Sequence, residues 1–305
     1  MGSGRILDAA GITDPALREA YEQCRRQNAA RGATFYLATR LLPPAKRPYL
    51  WALFGFARRC EEVLGPPGSP RPAELRAWAA RFLGSVFGGT PDGPAEAAMR
   101  DTMRRWAIPR LHVEAFLDCL RCDAEVTGYA CYADLERHLS GFAAIGMQVL
   151  PILQPLTPEA APRARALGEA FRMSTVIRDV GQDLSRGRVY LPQEDLDTFG
   201  VTREALARGA VTPTIRELLR FEIERARALY AFAEPGVAMV HPTSRDGVRT
   251  AFALHLEILD AVERAGCQVL TRRPGVPRSR RLAVALPRLR QARAVRREQR
   301  RWVAA

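Results

Sequence analysis

Asp179 and Asp183 stand four residues apart in the stretch RDVGQDLSRGRVYLP (178–192), behind Arg178 and ahead of Arg186, Arg188 and Tyr190. On an α-helix, side chains at i and i+4 share a face, so the two carboxylates point to one place in space. Magnesium, a hard cation, takes oxygen ligands and keeps several waters, which makes such a pair a fit for magnesium bound to a diphosphate. Guanidinium forks beside the pair suit phosphate oxygens. An exposed helix laced with ion pairs has the same composition, and spacing alone does not separate the two readings.

The elements that must position this pair read as helices throughout. Apolar residues recur at helical spacing in PALREAYEQCRRQ, RPYLWALFGFARRCEEVL, AELRAWAARFLGSVF and TIRELLRFEIERARALYAFA, and no run alternates at period two for long enough to make a sheet. Proline- and glycine-rich stretches at 65–72, 88–94, 154–162 and 272–277 punctuate the chain. They divide one all-α domain spanning 1–305 into roughly ten helices, with no internal repeat. The uncharged run Leu139 to Leu156 contains Ser140, Gln148, Pro151 and Gln154, so it reads as a buried core helix rather than a membrane span.

The formal net charge is +13, and between Arg278 and Arg301 ten arginines face a single glutamate, Glu298. This basic C-terminal segment, 278–305, reads first as a solvated helix face, with contact to an anionic membrane surface as a further expectation. Neither an aromatic stacking platform nor zinc-finger spacing accompanies it, so nucleic acid is not an expected partner. Six cysteines without an apolar leader fit a reduced cytoplasmic protein beginning near residue 1. Cys119 and Cys122 form a CxxC in helical context and read as packing thiols.

The string RDVGQDLSRGRVYLP closely resembles the second aspartate-rich signature of the squalene and phytoene synthase family. FYLATRLLPPAKRPYLWALFGFARRCEEV (35–63), YADLERHLSGFAAIGMQVLPIL (132–153) and the stretch 241–287 are similar to further parts of that family, most of all to bacterial phytoene synthases. The resemblance implies an isoprenoid-synthase helical bundle around a central cavity. It implies a prenyl diphosphate as substrate and Mg2+ as cofactor, with Asp179 and Asp183 as the metal ligands. Arg58, Arg178, Arg188, Arg273 and Tyr190 then become diphosphate-binding candidates. Phe35, Tyr36, Phe54, Leu139, Phe142, Phe171 and Thr175 become candidates for the substrate pocket, where aromatic faces would steady an allylic cation. Each of those aromatic residues is equally at home in an ordinary core.

Several positions depart from the family pattern. Where the first aspartate motif is expected the chain reads EEVLG, with Glu61 and Glu62 at the first two positions and Gly65 at the last. Arg172 and Thr175 replace a glutamine and an asparagine, Arg137 and Leu139 replace a pair of tyrosines, and His255 replaces another. These departures lead to the expectation of a prenyltransferase that keeps one diphosphate site. It would deliver a dimethylallyl or geranyl cation to an aromatic small molecule such as an indole or carbazole. Arg137 and Arg172 would stand in for missing metal charge, and Glu61, Glu62 or His255 would take the ring proton. For His255 a hydrogen-bonded core histidine is the alternative. For the whole chain the alternatives are head-to-head coupling of two prenyl diphosphates and a non-catalytic binder of a prenylated compound.

Overall fold

The computed structural model describes residues 2–31, 33–64 and 72–304, with the side chains of all but 31, 33, 34, 72 and 298–304. The helices are α1 (Ser3–Ala9), α2 (Pro15–Arg31), α3 (Ala33–Thr39), α4 (Arg47–Leu64), α5 (Pro72–Phe87), α6 (Pro94–Arg105) and α7 (Arg110–Glu125). They continue with α8 (Tyr132–Leu153), α9 (Ala160–Leu184), α10 (Gln193–Thr198), α11 (Arg203–Ala207), α12 (Pro213–Ala233), α13 (Pro242–Arg264) and α14 (Arg278–Ala304). Among the described residues two isolated bridges are the only extended pairings. The count exceeds the roughly ten expected because α1, α3, α10 and α11 span too few turns to leave a periodic signature.

Local chemistry sets the helix boundaries. Pro213 opens α12, and the Thr212 hydroxyl accepts the Ile215 amide at 3.2 Å. α8 ends where Gln154 turns left-handed ahead of Pro155. Its span, Tyr132–Leu153, covers the first fifteen residues of the uncharged run 139–156, which continues past the helix end at Gln154, and among the described residues no helix is long and apolar enough to cross a membrane.

α8 and α9 are joined by residues 154–159 and pack along their lengths, with α7 on one flank and α12 and α13 on the other. One apolar core gathers α1, α2 and α4–α7 with Ala144 and Ile152 of α8. A second gathers Leu135 and Leu139 of α8 with α9, α12 and α13. The α8–α9 pair is therefore the seam between two cores, and the half-buried Phe54, Phe142 and Phe171 belong to that seam.

The close approach of α8 and α9 depends on Gly168. A β-carbon there would lie 2.8 Å from the Ala143 α-carbon. Gly168→Ala is expected to lose about 1–3 kcal/mol of stability because backbone rather than a flexible side chain blocks it. Chemical denaturation against wild type measures this.

Candidate active site

α9 carries the aspartate pair into the seam. Asp179 is gripped by two guanidinium forks: Arg178 donates Nε and Nη2 to its two oxygens, both at 2.6 Å, and Arg273 does the same at 2.8 and 2.9 Å. Arg273 comes from the segment after α13, and Gly181 lets that segment close in. The Gly181 amide donates to Val269 O at 3.2 Å, and a β-carbon on Gly181 would collide with the Leu270 carbonyl. Burial alone would raise the Asp179 carboxyl, but the two arginines outweigh it and hold it at about 2. Asp183, one turn on, is pushed up to about 6 by burial and by the charge of Asp179, against the opposing pull of Arg172 and Arg186. Its nearest arginine contact is Arg186 at 3.7 Å.

A second polar cluster lies beside the first and centres on Asp123 of α7. Tyr190 donates its hydroxyl to Asp123 Oδ1 at 2.8 Å, and Arg188 Nη1 stands 3.6 Å from Oδ2 and donates to the Tyr190 oxygen at 3.2 Å. Arg188 and Tyr190 reach it because residues 189–194 run along 127–130, with the Val189 amide bonded to Thr127 O at 2.9 Å. Arg172 donates Nε to His138 Nε2 at 3.2 Å and lies over the Phe142 ring at 4.1 Å. A guanidinium only donates, so the His138 ring proton sits on Nδ1, 3.5 Å from Asp123 Oδ1. Burial, then the Arg172 charge, lowers the His138 imidazole to about 3 and keeps it neutral.

Neither Asp123 nor His138 was among the expected site residues. A usable signal existed: Asp123 falls on the apolar stripe of α7 after Phe116 and Cys119, and His138 on that of α8 beside Leu135 and Leu139. A titratable group on a buried stripe needs partners.

An aromatic group closes the centre. Phe35 stacks near Phe54 at 4.9 Å, His255 at 4.5 Å and Phe171 at 6.0 Å, and Phe171 stacks on His255 at 4.0 Å. The four side chains converge from α3, α4, α9 and α13. The Nδ1 of His255 bonds to Ala251 O at 2.9 Å, one turn back in its own helix, which is the core-histidine alternative rather than a base presented to a substrate. Burial lowers its imidazole to about 4.

Other expected site residues lie elsewhere. Arg137 is 79% exposed and pairs with Asp134 on the outer face of α8, because it is one residue out of phase with the buried His138. Leu139 is fully buried in the second core. Tyr36 turns away from the central rings, and its hydroxyl accepts from Arg25 at 3.3 Å. The Thr175 hydroxyl donates back to Arg172 O at 2.7 Å. Glu61 and Glu62 are exposed near the end of α4, where Arg58 holds Glu61 at 2.6 Å and Arg59 stands 3.5 Å from Glu62. Gly65 lies outside the described residues. Cys119 is buried, donating its thiol to His138 O at 3.3 Å, Cys122 is exposed, and neither is in a disulfide.

The donor set around Asp179 and Asp183 fits a magnesium ion that takes most of its ligands from water and phosphate. Two carboxylate side chains share one face of α9 there, and Asp183 has only a loose contact with Arg186, at 3.7 Å. Among the described residues no group of three or more His, Cys, Asp or Glu side chains gathers as a closed metal cage.

Residues 29–280 match the family described as squalene/phytoene synthase. The chain is 36% identical over 282 residues to a phytoene synthase of Arthrospira platensis, covering 86% of this chain and 90% of that protein. It is 34% identical over 285 residues to the 15-cis-phytoene synthase of Synechocystis sp., covering 88% and 83%. The chain belongs to the squalene/phytoene synthase family. A solved squalene synthase from Alicyclobacillus acidocaldarius superposes with a TM-score of 0.77 at 26% identity, covering 85% of this chain and 98% of that one. A dehydrosqualene synthase shares the fold with a TM-score of 0.83 at 23% identity, covering 92% and 98%. The isoprenoid-synthase bundle expected from the sequence is thus the observed fold, in a family of prenyl-transferring enzymes.

The expected aromatic acceptor is overturned. Family relatives matched over nearly the whole chain are named for phytoene synthesis, and the solved neighbours for squalene and dehydrosqualene synthesis. The departures that motivated it also weaken in space, since Arg137 faces solvent and His255 is capped by its own helix.

His255 gives the site a pH signature in stability. Its folded value of about 4 lies below the ordinary 6.5, so below pH 6.5 the unfolded chain binds more protons and stability falls as pH drops toward 4. The contribution is at most about 3 kcal/mol. Denaturant midpoints across this range are expected to slope less in His255→Phe than in wild type.

Proposed function

We propose that this enzyme joins two prenyl diphosphates head to head, with geranylgeranyl diphosphate as the substrate and phytoene as the product. The observation that carries this reading is the presence of two guanidinium pairs rather than one: Arg178 and Arg273 at Asp179, and Arg172 and Arg188 around Asp123. Two diphosphates must leave in such a coupling, and each needs its own cationic clamp. The relatives named as phytoene synthases support the same substrate class.

The balance of the reaction is simple. The C1 carbons of the two prenyl chains become bonded, two diphosphates depart, and two protons are lost, so the hydrocarbon forms without a reductant. Arg178 and Arg273 take up the charge of one leaving group, and Arg172 and Arg188 that of the other. Asp179 and Asp183 would hold magnesium, which when bound neutralises diphosphate oxygens and helps the leaving group depart. Phe35, Phe54, Phe142 and Phe171 present ring faces to the allylic cation and exclude water. Neutral His138, locked between Arg172 and Asp123, keeps Arg172 aimed into the seam. The exposed Glu61 and Glu62 reach this centre only if their ion pairs with Arg58 and Arg59 open, so the second motif does most of the binding.

Incubation of the pure protein with magnesium and geranylgeranyl diphosphate is expected to give a hydrocarbon of twice the chain length, with two diphosphates released per product, read by mass spectrometry and a diphosphate assay. Asp179→Asn and Asp183→Asn are each expected to slow turnover about 100-fold or more. Arg137→Ala is expected to stay within about twofold of wild type, as a surface change. Absence of any such hydrocarbon from geranylgeranyl or farnesyl diphosphate overturns the reading.

A further inference from the structure

A basic cavity of about 520 Å³ opens where α1, α2, α3, α4 and α14 meet. None of the residues around Asp179, Asp123 or the central rings lines it. Six guanidinium groups do: Arg25, Arg40, Arg47, Arg293, Arg296 and Arg297, and no Asp or Glu among the described residues joins them. Glu22, the carboxylate that pairs with Arg25, is not part of the lining. The remaining walls include the apolar Ile6, Trp51 and Leu289.

The fold fixes two of these cations, Arg47 and Arg296, in place. Arg47 donates to Leu42 O at 2.8 Å and to Arg40 O at 2.7 Å, while Arg296 reaches from α14 to Leu41 O at 3.0 Å and Leu42 O at 2.9 Å. Carbonyls just past the C-terminus of α3 thus seat two guanidinium groups from opposite ends of the chain. Burial, then the repulsion of the Arg296 and Arg40 charges, lowers Arg47 to about 10. An anion entering the cavity would relieve that repulsion, and the guanidinium fork matches phosphate oxygens. The apolar walls suit a carbon chain attached to the anion.

We propose that this cavity is a second phosphate-binding site, separate from the reaction centre, that takes a phosphate-bearing anion, either a free diphosphate or the headgroup of an anionic lipid. It does not depend on which prenyl diphosphates react.

The test uses the full chain and two side chains that are exposed and carry no active-site role, Arg40 and Arg293. In the Arg178→Ala/Arg188→Ala protein, where each of the two guanidinium pairs of the reaction centre has lost one member, inorganic diphosphate is expected still to bind by titration calorimetry in chelator. Adding Arg40→Glu and Arg293→Glu is expected to weaken that binding by about tenfold or more. A parallel arm compares co-sedimentation of wild type and Arg40→Glu/Arg293→Glu with phosphatidylglycerol and phosphatidylcholine vesicles. A loss in the calorimetric arm alone assigns a free anion, and a selective loss on phosphatidylglycerol assigns a lipid headgroup. If the charge reversals change neither arm, the cavity is not a phosphate site and the proposal falls.

Discussion

Carboxylates carried into the middle of a helical bundle have to be neutralised where they stand, and α9 depends on this at Asp179. Two arginines close on it, one from its own helix and one from the segment after α13. The second can arrive only because Gly181 offers no side chain to the backbone at Val269 and Leu270. Burying one charge thereby fixes how the end of α13 folds back on α9. Breaking such a pair from one side leaves an uncompensated interior charge, which is more costly than never having placed it there.

The same constraint accounts for the asymmetry of the pair. Asp179 is saturated with guanidinium donors and stays ionised, while Asp183, a turn away, has one loose arginine contact and keeps its proton to higher pH. Beside them Asp123 meets Tyr190, His138, Arg172 and Arg188 in a network whose members hold one another's orientation. An interior with more fixed cations than anions is suited to polyanionic ligands, because the cations sit in place before the ligand arrives and need not reorganise as charge develops.

The seam between the two cores explains where carbon chains can go. Residues deep in either core, such as Leu139, have no exposed surface. Phe54, Phe142 and Phe171 remain half-exposed although helices surround them. Full interdigitation of two cores would have covered them. At the departures Glu61 and Glu62, near the end of α4, arginines one turn back pair with the glutamates at the surface.

The sequence by itself determined the helical class, the span of α8, the aspartate pair on one face of α9 and the family. All of these rest on periodicity or on contiguous strings, and helix geometry converts spacing into facing direction without reference to the rest of the chain. It could not say which arginine meets which carboxylate, since Arg273 and Asp179 are 94 residues apart and Tyr190 and Asp123 are 67. It misassigned Arg137 and passed over His138 because one residue on a helix is a rotation of about 100°, enough to exchange solvent for interior. It read His255 as a candidate base, whereas the bond to Ala251 O and the stack on Phe171 are visible only once α13 is packed against α9. Tertiary packing made those choices because burial and pairing are properties of where helices meet, and no single helix contains that information.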